Sequence, residues 1–417
     1  MITLVVILHF LLPLFFAGLY FYGYLYSVVD LANPYNLSIL TGAIAYVIFM
    51  GQFLLAARIR ILERWVPQDK LMALHGSAGA ASFALILIHA ILKFITTTRF
   101  EALTLQTALG IFALILTLFL SPAAYLILQG RKKGNYLKTL KAHNLFALAG
   151  VAVTLHVFMA ASTWSLPLQS FTLIWGLGNL SLYVNHKIIR PRKAARIKLL
   201  SVDKIAPEFH RYTFDREITR KSGQFAYFRF EENLPGQPPE YHPFTISSPA
   251  GTPVEIVVGS LGDYSETMPD LTPGIEVKFD GPYGHFRPRK LPQGTPIVFL
   301  TAGIGITPAL SLARDKELKT HYPMKVIWSV RSPETSDSIA PLIDNLEIIY
   351  TRKAPAGAKV GKLNRETLAG ISLPNKADIT EVVWFICGPK GFLNSMRQSL
   401  KNLGVPVKHI KEERFSW

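Results

Sequence analysis

Four of the eleven histidines, His75, His89, His143 and His156, lie inside long apolar stretches. The fourteen residues from His75 to His89 rise about 21 Å on an α-helix and come within about 40° of four full turns. Both imidazoles therefore leave one helix face. The thirteen residues from His143 to His156 fall about 140° short of four turns. A local bulge near Gly150, or ligand planes that absorb the difference, is the expectation there. Imidazole is an axial ligand for haem iron, and two helices offering imidazoles at matched depths can clamp two haems, one above the other. Behind His75, the run Gly76-Ser77-Ala78-Gly79-Ala80-Ala81 has side chains small enough for a flat macrocycle to approach the backbone. A lone histidine in such a span is more often a satisfied interhelical group or part of a proton relay, whereas four at two matched depths favour ligation. His9 and His186 have no such partners and read as structural.

A second set of residues lies in the other half of the chain. His242-Pro243-Phe244-Thr245-Ile246-Ser247-Ser248, then Gly262-Asp263-Tyr264-Ser265, offer hydroxyls and backbone amides that suit a flavin ring and its pyrophosphate, although such turns are usually only turns. Phe299 to Pro308 reads as an apolar strand entering a glycine turn, Gly303-Ile304-Gly305-Ile306-Thr307-Pro308, and then a helix, whose bare N-terminal backbone can hold a pyrophosphate. Phe385-Ile386-Cys387-Gly388-Pro389 is another strand end entering a turn; the bland reading of Cys387 is a buried core thiol. After the strand 324–328, Ser329 and Arg331 offer a hydroxyl and a guanidinium to a nucleotide 2′-phosphate, with an ordinary surface arginine as the equal alternative.

These groups need two kinds of scaffold. Six stretches, 2–24, 36–62, 71–95, 102–128, 141–163 and 168–188, are long and apolar enough to span a bilayer. The first lacks a basic start and a cleavage site and reads as a retained helix. Basic residues crowd alternate loops: Arg58, Arg60, Arg64 and Lys70; Arg131, Lys132, Lys133, Lys138 and Lys141; Lys187, Arg190, Arg192 and Lys193. The opposite loops hold only Lys93 and Arg99. The positive-inside rule then puts both termini in the cytoplasm, His75 and His143 near the inner face, and His89 and His156 near the outer. From Arg196 the texture changes to short alternating runs, expected to form an antiparallel β-barrel, and from about Thr295 to an α/β pattern with a parallel sheet. The expected division is 1–190, 191–292 and 293–417.

Of the 417 residues, 50% are hydrophobic and 17% charged, too apolar for an ordinary soluble protein. The single cysteine, Cys387, excludes disulfides, iron–sulfur clusters and thiolate metal sites. The charge of +16 is concentrated beside apolar spans, which points to a lipid surface and not to nucleic acid.

Together these pieces resemble the NADPH oxidase and ferric reductase superfamily over nearly the whole chain. The spans with two histidine pairs are similar to its ferric-reductase-like transmembrane domain. His242-Pro243-Phe244-Thr245 looks like its flavin motif, with His242 where soluble ferredoxin reductases usually have Arg. Gly223-Gln224-Phe225 and Gly281-Pro282-Tyr283-Gly284 resemble two further flavin-domain signatures, and the Gly303–Pro308 and Cys387-Gly388-Pro389 runs match its nucleotide domain. The resemblance implies FAD, two haem b groups and NADPH or NADH as cofactors. It implies that Thr245 contacts the flavin near its reactive nitrogen. Gly303, Gly305, Thr307 and Pro308 would cradle the nucleotide, and Cys387 and Gly388 would lie near its nicotinamide. A terminal aromatic, Phe415 in preference to Trp417, would cover the flavin. The compactness looks like the bacterial members.

The implied activity is an NAD(P)H oxidase of the cell membrane. Hydride passes to FAD, and electrons go singly to the haem between His75 and His143, then to the one between His89 and His156. The acceptor expected is O2, giving superoxide, with a ferric chelate as the alternative. Neither a nucleic acid nor an obligate protein partner is expected. Two rival classes are a haem subunit fed by a separate reductase and a histidine-lined proton or metal transporter.

Overall fold

The computed structural model describes residues 33–63, 66–96, 104–128, 136–160, 165–232, 234 and 239–414, together with Leu11 and Phe15. Apart from those two residues, the expected first span lies outside the described residues, as do Phe415 and Trp417. The chain divides into two units, Met1–Arg192 and Lys193–Trp417.

In the first unit, helix α1 (Pro34–Ala56) starts where the Asn33 side chain accepts the Tyr35 amide at 2.9 Å and Pro34 takes a position whose N–H would be unpaired anyway. Then follow α2 (Gln68–Thr96), α3 (Leu105–Leu128), α4 (Tyr136–His143), α5 (Phe146–Met159) and α6 (Leu166–Val184). Tyr46, Met50 and Phe53 of α1 pack with Ala149 and Ala152 of α5 and Leu168 of α6. The helices approach closely through small residues. At Gly176 on α6, a Cβ would stand 2.5 Å from Thr154, the close packing that joins helices where no hydrophobic drive exists between them. The outer wall carries large apolar side chains: Phe94, Phe119 and Ile174 are 86%, 76% and 75% exposed, an apolar surface of the kind that meets a partner or a membrane. Three helices, Pro34–Ala56, Lys70–Thr96 and Thr139–Met159, are long and apolar enough by length and composition to cross a membrane. The expected six are not reached among the described residues.

The expected bulge near Gly150 is not where the structure makes its adjustment. Gly150 is an ordinary helical residue of α5, whose missing side chain admits Phe53 at 3.1 Å from an ideal Cβ position. The break comes at Asn144–Leu145, directly after His143. There Asn144, Leu145, Ala147 and Leu148 donate to carbonyls three residues back, those of Lys141, Ala142, Asn144 and Leu145. Such 3₁₀ geometry turns about 120° per residue instead of about 100°. A few tightened residues therefore recover much of the missing rotation between His143 and His156.

The second unit holds two sheets. Strands β1 (Ala195–Ala206), β2 (Phe209–Glu217), β3 (Phe225–Phe230), β4 (His242–Thr245), β5 (Pro253–Gly259) and β6 (Glu276–Tyr283) form an antiparallel sheet in the order β4-β3-β6-β1-β2-β5. A bridge between Ile246 and Ile256 joins its two edges and closes the barrel around Tyr212, Phe214, Phe228, Phe230 and Phe279. The short helix α7 (Asp263–Thr267) lies between β5 and β6. Strands β7 (Ile297–Ala302), β8 (Met324–Val330), β9 (Leu346–Tyr350), β10 (Val383–Cys387) and β11 (Ile410–Glu413) make a parallel sheet ordered β11-β10-β7-β8-β9. Its central strands are continuous apolar runs because both faces are covered. Helix α8 (Thr307–Ala313) follows β7 and α9 (Lys390–Asn402) follows β10.

Candidate functional sites: two histidine couples and a cleft

The helices bring the four histidines together as two couples. The His75 and His143 rings are 6.1 Å apart, centre to centre, and those of His89 and His156 are 6.3 Å apart. A metal bound between two imidazole nitrogens at about 2.0 Å each, with about 1.1 Å from nitrogen to ring centre, separates the centres by about 6 Å. Both couples stand at that span. Nδ1 of His89 lies 2.7 Å from the Ser38 carbonyl, and Nδ1 of His156 lies 2.9 Å from that of Gln106. A carbonyl only accepts, so Nδ1 carries the proton and Nε2 is left as the lone pair. The Nδ1 atoms of His75 and His143 are both buried without a hydrogen-bond partner. Among the described residues, no three His, Cys, Asp or Glu gather as a protein-only metal site. A pair of facing imidazole nitrogens is one of the ligand sets a haem iron takes. A Cβ built on Gly76, the residue after His75, meets nothing within 4 Å. Lys93 sits with Nζ 4.0 Å above the Tyr35 ring, which holds that charge one helical turn from His89.

In the second unit a cleft with about 770 Å³ of open space runs between the two sheets. The barrel contributes Phe225, Pro243, Phe244, Thr245 and Ser265; the parallel sheet contributes Ile304, Thr307, Glu413 and Arg414. Thr245 ends β4, paired with Phe225. Gly303 has φ +53°, and its carbonyl accepts the Trp328 indole N–H at 2.9 Å; the glycine supplies a left-handed turn at no steric cost. Gly305 permits a close approach: a Cβ there would stand 2.4 Å from the Cys387 carbonyl oxygen. The two turns at the sheet's carboxyl edge thus lie against each other. Pro308 is buried in the first turn of α8, and Pro389 caps α9 after Gly388.

Other residues are used differently. Cys387 is fully buried, and burial with the Glu413 carboxylate beside it pushes its thiol well above the ordinary range. It is a neutral thiol, not a thiolate. Ser247 and Ser248 are buried and hydrogen-bonded inward: Ser247 to the Glu255 carbonyl at 3.1 Å, Ser248 to that of Pro253 at 2.8 Å. The Ser265 hydroxyl accepts the Gly262 amide at 3.0 Å and caps α7. His242 stacks on Tyr264 with ring centres 3.5 Å apart, and burial lowers its pKa to about 4. It is therefore a neutral aromatic surface at pH 7. Ser329 lies one residue before the end of β8, beside Ala302 in register; the exposed Arg331 follows the strand, its carbonyl receiving the Arg352 and Lys353 amides. Sequence reasoning missed Phe225, Ile304, Glu413 and Arg414 as cleft residues. Glu413 reaches it by pairing with Cys387, a register no local pattern reveals.

No family model matches the chain. It is similar to the glycine betaine monooxygenase reductase subunit of Pseudomonas aeruginosa (strain UCBPP-PA14), 31% identical over 213 residues, which are 47% of this chain and 56% of that protein. It is also similar to a flavohemoprotein of Rhodopirellula baltica, 25% identical over 155 residues, 34% of this chain and 37% of that one. The chain spans about half or less of the length of these relatives. A solved ferredoxin NADP+ reductase from Neisseria gonorrhoeae, with bound FAD and NADP, covers 53% of this chain and 98% of its own at 22% identity and a TM-score of 0.47.

Proposed function

We propose that the chain is a membrane oxidoreductase carrying electrons from NADPH or NADH, through FAD in the cleft, to two b-type haems and on to dioxygen, which leaves as superoxide. The observation that carries this reading is the pair of imidazole couples, matched at 6.1 and 6.3 Å, in one chain with a cleft built from both sheets. When bound, the flavin supplies hydride acceptance and the haems supply one-electron transfer, chemistry no side chain provides.

The residues bind and orient. Thr245 and Ser265 present polar atoms to the flavin side of the cleft, and Phe244 and Phe225 its apolar wall. The glycine turn Gly303–Ile306 offers its backbone to the nucleotide's pyrophosphate. Arg331 and Ser329, at the same sheet edge, receive a 2′-phosphate. His75 with His143, and His89 with His156, would hold the two haems through their imidazoles. The basic loops favour both termini in the cytoplasm, with the cell membrane as the membrane. Phe415, which follows the cleft residue Arg414, covers the flavin.

An absorbance spectrum of the purified full chain before and after NADPH tests this directly. Sharp reduced b-type bands, with superoxide-dismutase-sensitive reduction of cytochrome c under air, are expected. A chain without haem bands overturns the reading. Turnover under nitrogen only when ferric chelate is supplied, with no dismutase effect under air, replaces the oxidase by a ferric reductase.

A further inference from the structure

The two outer histidines are held by the same device, built twice on different helices. Nδ1 of His89 reaches Ser38 O on α1, and Nδ1 of His156 reaches Gln106 O on α3. Inside an α-helix the carbonyl of residue i already faces the amide of residue i+4, and the i+4 side chain crowds any outside donor. The residue four beyond Ser38 is Gly42, and four beyond Gln106 is Gly110. An ideal Cβ on Gly42 would stand 2.6 Å from His89 Nδ1, and one on Gly110 would stand 2.8 Å from His156 Nδ1. Real side chains do not approach so closely, so either ring would have to leave its carbonyl.

The inner couple provides an internal comparison. On the antiparallel pair α1 and α2, His75 is fourteen residues before His89, and Gln52 fourteen after Ser38. Nδ1 of His75 is buried without a hydrogen-bond partner. Four residues beyond Gln52 stands Ala56.

We infer that Gly42 and Gly110 are positioning residues for the outer couple: they open two helix carbonyls that fix His89 and His156 as Nδ1–H tautomers with Nε2 turned toward a shared axial ligand site. This rests on the haem reading for its purpose, but the tautomer lock is a property of the chain alone. A histidine so tied is a better electron donor to a metal, and its ring plane is fixed. The inner couple, lacking the lock, is freer to rotate.

The test uses the full chain in lipid nanodiscs, with Gly42→Ala, Gly110→Ala and, as a control, Gly178→Ala, where an added Cβ meets nothing within 4 Å. ¹⁵N-histidine NMR reads the tautomers without haem. Two Nδ1–H resonances, assigned with His89→Gln and His156→Gln, should shift one at a time in Gly42→Ala and Gly110→Ala and remain in Gly178→Ala. With haem, electron paramagnetic resonance should show one of two low-spin centres altered or lost in each window variant, the other retaining its wild-type signature and midpoint potential. Wild-type tautomers in both window variants overturn the inference, as does equal disturbance of both haem centres. Tautomers that shift as expected in a chain that binds no haem uphold the lock and remove the haem reading instead.

Discussion

At the residue scale, the couples differ in what their loss should do. His89→Ala or His156→Ala is expected to remove one of two haems while leaving the flavin reducible; His75→Ala or His143→Ala should stop transfer at the inner site. A pyridine-haemochrome assay on the four variants decides it, and full haem content in all of them would refute the ligand assignment. Arg331→Ala is expected to raise KM for NADPH about tenfold with little change for NADH, the size of a lost charge-assisted hydrogen bond of about 1.5 kcal/mol. Equal effects on both nucleotides would show that Arg331 reads no 2′-phosphate. His242 carries a pH signature. Its folded pKa, about 4, lies below the ordinary 6.5. Between these values the unfolded chain binds a proton that the folded one refuses, so stability present above pH 6.5 is lost as pH falls toward 4. Thermal unfolding across that range should show this loss, reduced in His242→Phe; an unchanged profile in the variant assigns the loss to other groups.

At the element scale, the barrel and the parallel sheet are tied by a small polar knot. Ser311 of α8 accepts the Gly223 amide at 3.2 Å and donates to the Ser248 carbonyl at 2.9 Å, and Ser222 donates to the Asp315 carboxylate at 2.5 Å. Ser311 is fully buried, so Ser311→Ala leaves an amide and a carbonyl without partners. The expected cost is about 1–3 kcal/mol, measurable by urea unfolding of the purified chain. A change below about 0.5 kcal/mol would mean the knot is not what joins these elements. The knot also explains why the hydroxyl-rich run after Thr245 splits in use. Thr245 faces the cleft, whereas the Ser247 and Ser248 hydroxyls turn inward to the Glu255 and Pro253 carbonyls, leaving the Ser248 carbonyl to receive Ser311 of α8.

At the scale of the whole molecule, the division between Arg192 and Lys193 separates the histidine couples from the cleft. Each unit carries its own core. Residues 193–417 expressed alone should fold, bind FAD and reduce ferricyanide with NADPH, while containing no haem and forming no superoxide through one. Failure to bind flavin would show that the cleft is completed by something outside that unit.

Much of this was legible locally, because the signals are local. The apolar helices follow from hydropathy. The change from alternating runs to a strand–glycine turn–helix pattern foretells an antiparallel sheet followed by a parallel one, and fourteen residues place two imidazoles on one face whatever surrounds them. Gly303 and Gly305 could be singled out because a turn into a helix has its own composition. Long-range contact decided the rest. The rotation between His143 and His156 is recovered at Asn144–Leu145, not near Gly150, because Phe53 and Leu180 pack where Gly150 lacks a side chain and the helix tightens elsewhere. Glu413 enters the cleft through a parallel register with Cys387. Gly42 and Gly110 stand forty-seven and forty-six residues from the histidines they admit. A helical glycine announces in its sequence only that a side chain is missing, and packing alone determines which atom fills the gap.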